Sequence, residues 1–137
     1  MSPTRVVVGI FGVVYLVVGI LGFLGNPFVT STTHPDMPSA TGALLGIFPI
    51  NAIHNVVHLA IGAVLLIGAT EVGRAVLAAR GVAVVYALVG VLGLIAPDTF
   101  GIMPIGGADV FLHLATAAVL FGVTFLEGRD TGYATAR

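Results

Sequence analysis

The run Gly46-Ile47-Phe48-Pro49-Ile50-Asn51-Ala52-Ile53-His54-Asn55-Val56-Val57-His58-Leu59-Ala60-Ile61-Gly62-Ala63-Val64-Leu65-Leu66-Ile67-Gly68-Ala69 holds both features from which the fold is read. From about Ile50 to Ala69 it supplies the roughly 20 apolar residues that a helix needs to cross a bilayer. Its polar residues Asn51, His54, Asn55 and His58 fall within one arc of about 100° on a helix that advances about 100° per residue. Such a helix is solvated by lipid around most of its girth and turns its polar stripe toward other helices.

Three further apolar stretches surround it, at about Arg5 to Gly25, Ala75 to Ala96 and Ala108 to Leu126. Of 137 residues 58% are hydrophobic and 8% charged, and mean hydropathy is +1.13, so the chain lacks the mixed charged surface of a soluble domain. The expected fold is an all-α integral membrane protein, a single domain of four transmembrane helices in a bundle. Arg80, one turn inside the third span, reaches the interface by snorkelling. The first span is longer than a signal-peptide core and no small-x-small cleavage site follows, so it is expected to be retained.

Five basic residues, all arginine, face six acidic ones. That balance offers no basic surface to nucleic acid and no acidic tail to a cationic partner. With no cysteine, disulfides, iron–sulfur clusters, thiolate metal sites and cysteine nucleophiles are excluded. Arg5, Arg74, Arg80, Arg129 and Arg137 all fall on one side of the four spans, whereas the loops Asn26 to Pro49 and Pro97 to Gly107 contain none. The positive-inside rule then puts both termini and the short middle loop in the cytoplasm.

The halves of the chain repeat. Val13-Val14-Tyr15-Leu16-Val17-Val18-Gly19-Ile20-Leu21-Gly22 returns as Val84-Val85-Tyr86-Ala87-Leu88-Val89-Gly90-Val91-Leu92-Gly93 at an offset of 71. Gly46-Ile47-Phe48-Pro49-Ile50 returns as Gly101-Ile102-Met103-Pro104-Ile105, and His58-Leu59-Ala60 as His113-Leu114-Ala115, at an offset of 55, which leaves a 16-residue insertion in the first outer loop. Two tandem two-helix repeats, about 5–70 and 75–127, are expected to be related by a pseudo-twofold axis along the membrane normal. Pro49 and Pro104 suit the first turn of a helix, and Ser39 to Phe48 is expected to form a short apolar helix at the outer interface.

Span 4 carries a matching stripe of Asp109, His113 and Thr116, continued by Leu120 and Thr124. The offset pairs His58 with His113 and His54 with Asp109. Both stripes start at the outer ends of their helices, so the polar groups are expected to meet in the outer half of the bundle, about 5 to 12 Å below the helix starts. Four uses of such a cluster stand open. A hydrogen-bonded network of His54, Asn51, Asn55, Asp109, His113 and Thr116 would fix helix register. A metal site built from His54, His58, Asp109 and His113, with Asn51 and Asn55 behind them, offers three nitrogens and one carboxylate, a set suited to Zn, Cu(II) or Fe(II). Haem b ligated by His58 and His113 would use the space left by Gly19, Gly22, Gly90 and Gly93, although neither outer loop has an arginine or lysine to receive propionates. An Asp–His chain open to the outside would form a proton or small-solute path.

Tyr15 and Tyr86 lie at depths similar to His58 and His113 and are candidate hydrogen-bonding partners. The backward tilt of Cβ along a helix directs these tyrosines and the histidines apart, which leaves contact undecided. His34 reads as a solvated loop residue.

The segment Asn51-x-x-His54-Asn55-x-x-His58-Leu59-x-x-Gly62, preceded by Leu45-Gly46-Ile47-Phe48-Pro49, resembles an uncharacterised family of small four-span bacterial membrane proteins, a domain of unknown function. The resemblance covers roughly Arg5 to Glu127 and implies a four-helix membrane fold in a bacterial inner membrane, with no activity to carry over. Enzyme, binding module and structural subunit therefore stay open. No serine nucleophile with its base, no phosphate-cradling loop and no pair of carboxylates at one depth is present, so hydrolysis and phosphoryl transfer have no support. Beyond the bilayer, the expected partners are another membrane protein or a second copy, docked on the glycine-rich faces of spans 1 and 3.

Overall fold

The computed structural model describes residues 2–32 and 34–134. Four α-helices make up most of it: α1 Pro3–Leu24, α2 Ala52–Gly68, α3 Val72–Ile95 and α4 Ala108–Ala134. α1, α3 and the Ala108–Glu127 part of α4 are long and apolar enough to cross a membrane. Along α1 and α3, Ile10, Val13, Val17, Ile20, Val84, Leu88, Val91 and Ile95 are 46–77% exposed. In water this would be one large apolar patch; in a bilayer it is the lipid-facing surface.

The helices run up and down in sequence, and their ends are tied in two sets. At one end Ser2 caps α1 by accepting from Arg5 N, while its hydroxyl donates to Glu127 Oε2 at 2.7 Å. Thr4 Oγ1 donates to the Val123 carbonyl at 3.2 Å, and Arg5 Nε donates to the Ala69 carbonyl at 2.8 Å. The start of α1, the turn between α2 and α3, and the later part of α4 therefore share this end, which carries Arg5 and Arg74. Arg80 is further into α3 than the sequence suggests, because the helix begins at Val72, and its Nε donates to Thr124 Oγ1 at 3.2 Å. The side chains of Arg129 and Arg137 lie outside those described.

The other end departs from expectation. Residues Ser39 to Phe48 do not form a helix: β1 Val29–Thr30, β2 Gly42–Leu44 and β3 Phe48–Ile50 make a three-stranded antiparallel sheet in the order β1-β2-β3. Leu44 faces Phe48 in register, and the intervening turn has Leu45 and Gly46 at φ 53° and 72°. A left-handed turn at Gly46 and a proline without an N–H at position 49 both oppose a continuing helix. Pro49 consequently lies in β3, and Pro104 lies in the segment without regular secondary structure before α4; neither occupies a first helical turn. Because β3 takes up residues 48–50, α2 is 17 residues long, shorter than the span read from Ile50 to Ala69.

α1 packs most closely on α2, and α3 on α4. Small residues set these approaches: a Cβ at Gly19 would lie 2.8 Å from the Leu59 side chain, and one at Gly90 would lie 2.7 Å from that of Leu114. Toward the arginine end the four helices close on Val8, Leu65, Ala75, Ala79, Val82 and Leu120, with Tyr15 and Tyr86 also in this core. These aliphatic layers make the lower half a solid plug and leave the polar stripes in the upper half.

The packing predicts opposite responses at two helical glycines. A Cβ at Gly62 would come within 2.7 Å of Leu16 N, whereas one at Gly81 would meet nothing within 4 Å. In thermal unfolding in detergent, Gly62→Ala should destabilise by about 1–3 kcal/mol through overpacking. Gly81→Ala should be neutral or stabilise by up to about 1 kcal/mol through helix propensity. Equal effects at the two sites would show that α1 and α2 do not approach as described.

Candidate functional site

α2 begins at an unusually well-anchored cap. Asn51 Oδ1 accepts from His54 N at 2.9 Å, satisfying one of the free donors of the first turn. Its Nδ2 donates to the Ile102 carbonyl at 2.9 Å and to the Ser39 carbonyl at 3.3 Å. One side chain thus fastens the helix start to both outer loops. A second tie joins those loops directly, since the Ser39 backbone N–H and hydroxyl both donate to the Asp98 carboxylate. With the cap fixed, His54 and His58 must point inward one and two turns further on.

They meet groups from α1 and α4, and Tyr86 of α3 joins through His113 and Tyr15. The His54 and His58 rings lie 4.5 Å apart between centroids, and the His113 ring stacks on His54 at 6.2 Å. Asp109 Oδ2 is 3.5 Å from His54 Nε2. Tyr15 lies against His58 at 5.3 Å, Tyr86 against His113 at 4.9 Å, and the two tyrosines against each other at 5.3 Å. The rings therefore do touch, despite the opposing Cβ tilts, because a phenol reaches far enough from its backbone to span the offset. All of these side chains are at most 3% exposed.

The hydrogen-bond inventory separates Tyr15 from the rest of the cluster. Tyr15 Oη and Thr116 Oγ1 are paired at 2.9 Å. Both ring nitrogens of His54 and of His58, Nδ1 of His113, both oxygens of Asp109 and Oη of Tyr86 are buried with no hydrogen-bond partner. A buried polar group without a partner costs about 1–3 kcal/mol, and more when charged. These groups lie together in one buried layer. His54, His58 and His113 each place a ring nitrogen within 4.8 Å of the others, a spacing that a metal ion can draw together.

Two residues of the expected site lie elsewhere. Asn51 serves as the cap and loop tie, outside the cluster. Asn55, 3% exposed, packs its amide onto Gly22 of α1, where any Cβ would collide with it. Glycines expected to open room for a porphyrin are likewise filled: Leu59 and the Asn55 backbone cover Gly19, Asn55 covers Gly22, Leu114 covers Gly90, and Ile105 and Val110 cover Gly93. Tyr15 lies beside His58, Tyr86 beside His113, and His54 beside both histidines. Thr124, at the far end of the span 4 stripe, pairs with Arg80. His34 Nε2 is bonded to Thr32 Oγ1 at 2.8 Å in the outer loop, away from the cluster.

Sequence reasoning missed a loop tie and a cavity lining. Asp98 closes the outer loops through Ser39, and an acidic residue after a proline in an apolar chain was the only available signal. The apolar residues Phe11, Val18, Leu44, Phe48 and Leu112 border a cavity beside His58 and Asp109; in a sequence where most residues are of this kind, nothing distinguishes them.

Residues 5–126 match the model of the family described as domain of unknown function (DUF4383). The chain belongs to this family. No curated protein and no solved structure matches the chain. The family has no assigned activity, so the chemistry of this member is read from its own cluster.

The hydroxyl inventory predicts an asymmetry between the two tyrosines. Tyr15→Phe should cost about 0.6–2 kcal/mol, the usual worth of an interhelical hydrogen bond in a membrane protein, and should show coupling to Thr116→Val in a double-mutant cycle. Tyr86→Phe removes a hydroxyl that has no partner, so it should be neutral or stabilising. A loss at Tyr86 as large as that at Tyr15 would contradict this geometry.

Proposed function

We propose that this chain is a four-span membrane protein, built from two tandem two-helix repeats, that holds one divalent transition-metal ion with His54, His58, His113 and Asp109. The observation that carries the reading is three fully buried imidazoles whose ligand nitrogens lie within 4.8 Å of one another, with no hydrogen bond to either nitrogen of His58. Tetrahedral ligation at about 2.0–2.1 Å would bring those nitrogens to about 3.3 Å, a change within the reach of side-chain rotation. Asp109, already beside His54, adds the carboxylate and the negative charge that offsets a dication in a low-dielectric site. Three nitrogens and one oxygen, with no thiolate, suit Zn, Cu(II) or Fe(II).

The duplication is supported by paired contacts. Tyr15 against His58 corresponds to Tyr86 against His113, and Gly19 under Leu59 corresponds to Gly90 under Leu114, at the offsets of 71 and 55 found in the sequence. A duplicated two-helix unit brings its polar stripes face to face about the axis between the repeats, which accounts for ligands from both α2 and α4. Counting α2 as the fourth span rests on its 17 residues, about 25 Å of helix, extended by the cap and β3. The arginine end is read as cytoplasmic, so the metal lies toward the outer face of the inner membrane.

Tag-free protein purified without chelator should contain about one equivalent of zinc, copper or iron. His58→Asn and His113→Asn should each lose most of it while the helical content stays unchanged. Chelator should lower the melting temperature of the wild type and have little effect on either variant. Metal-free protein whose stability ignores added metal would refute the assignment.

Topology has its own check. A reporter fused after Arg137 should be active only in the cytoplasm. Activity on the opposite side would reverse the orientation and place the cluster toward the inner face.

A further inference from the structure

Two arginines at the basic end of the bundle are held in the same way. Arg5 Nε donates to the Ala69 carbonyl at 2.8 Å, and Arg80 Nε donates to Thr124 Oγ1 at 3.2 Å. Ala69 and Thr124 stand 55 positions apart, the offset at which the second spans repeat in the sequence. At the offset of 71 that relates the first spans, Arg80 corresponds to Gly9 and not to Arg5. Its guanidinium therefore starts one turn further along its helix and still fastens to the equivalent place on the neighbouring one. Thr4, beside Arg5, donates to the carbonyl of Val123, beside Thr124, so the two tethers lie at one depth.

Each tether stands at the end of an open groove between sequential helices. Arg5, Gly9, Ile10 and Leu66 line the groove between α1 and α2. Val84, Ala87, Ala118 and Phe121 line the one between α3 and α4, where Arg80 lies one turn before Val84 and Thr124 one turn after Phe121. Ile10, Val84 and Phe121 are 57%, 55% and 45% exposed, so both grooves open toward lipid.

A guanidinium that uses Nε on the protein keeps its two Nη groups, a pair of donors that suits two phosphate oxygens. Among the described residues neither Arg5 nor Arg80 forms an ion pair, whereas Arg74 pairs with Glu71 at 3.1 Å. Glu127, at the same end, accepts from Ser2 and Thr4. A fixed cation at the head of a hydrocarbon-lined groove matches an anion that carries its own hydrocarbon. Free phosphate supplies only the charge, and a neutral lipid tail only the apolar part.

We propose that each groove binds one anionic phospholipid from the leaflet at the arginine end, with its phosphate on the Nη groups of Arg5 or Arg80 and an acyl chain along the groove. The two sites are separate from the histidine cluster and do not depend on the metal reading.

Delipidated protein in detergent is titrated with phosphatidylglycerol or with phosphatidylcholine of the same acyl chains, and the lipids retained per chain are counted by native mass spectrometry. Wild type should retain two phosphatidylglycerols, each held at least about fivefold more tightly than phosphatidylcholine, the factor one interfacial arginine contributes toward an anionic lipid. Arg5→Gln and Arg80→Gln should each retain one. Arg74→Gln, which removes an arginine already paired, should retain two. Ala118→Phe adds a ring at an exposed position, filling the α3–α4 groove without changing a charge; it should retain one, and it tests that site if Arg80→Gln does not fold. Glycerol phosphate at the same concentration as the lipid should displace neither. Equal retention of the two lipids, equal losses in Arg74→Gln and Arg80→Gln, or two lipids kept by Ala118→Phe would overturn the proposal. Displacement by glycerol phosphate would overturn it too, because the grooves would then contribute nothing.

Discussion

Taking a carboxylate and three imidazoles out of water and surrounding them with hydrocarbon is the constraint on which the rest of this structure depends. Each such group costs several kcal/mol unless something compensates it, and a protein this small gains little from any single helix contact. The chain meets the cost by concentrating it. All the expensive groups occupy one layer, and the layer below is closed by Val8, Leu65, Ala79, Val82 and Leu120. The layer above is closed by Pro49, Pro104, Ile50 and Ile105, all fully buried. A core whose function was only to hold four helices together would need none of these ionisable groups, since leucine and alanine at the same positions would pack without penalty.

The outer end of the molecule serves the same layer. Asn51 binds both outer loops and caps α2, and the Ser39–Asp98 contact joins the loops a second time. Those bonds fix where α2 starts, and therefore where His54 and His58 point. The sheet β1-β2-β3 roofs the gap between α1 and α4, where the helices touch less closely than within either sequential pair. The result is a cluster covered on its outer side by Pro49, Ile50, Pro104 and Ile105. The family to which the chain belongs is described only as a domain of unknown function, and a buried layer of three histidines and an aspartate is what the structure adds for one of its members.

Much of this was legible in the sequence, for definite reasons. Hydropathy marks helices because each must bury or lipidate about 20 residues in a row, and a polar stripe on such a helix has only the bundle interior to face. That is why His54, His58, Asp109 and His113 were found together. The helical arc that selected them is too coarse to separate its own edges, however: Asn51 and Asn55 share it, yet one became the loop tie and the other turned to Gly22. Which way an edge residue goes is decided by the neighbouring helix, through a glycine that periodicity on α2 does not reveal. The sheet was missed because Ser39 to Phe48 is as apolar as a helix, and the information against one lay in Gly42, Gly46 and Pro49. Space was the least legible property. Gly19 and Gly90 read as room for a large cofactor, but they are room that Leu59 and Leu114 already use.

The most direct measurement on the proposed metal site is an X-ray absorption spectrum of tag-free protein, taken at the edge of whichever of zinc, copper or iron it contains. The account predicts nitrogen and oxygen scatterers at about 2.0–2.1 Å, the outer-shell pattern of three imidazole rings, and no sulfur near about 2.3 Å. A shell of oxygen atoms without imidazole features would contradict it, because the three histidines would then not be the groups that hold the ion.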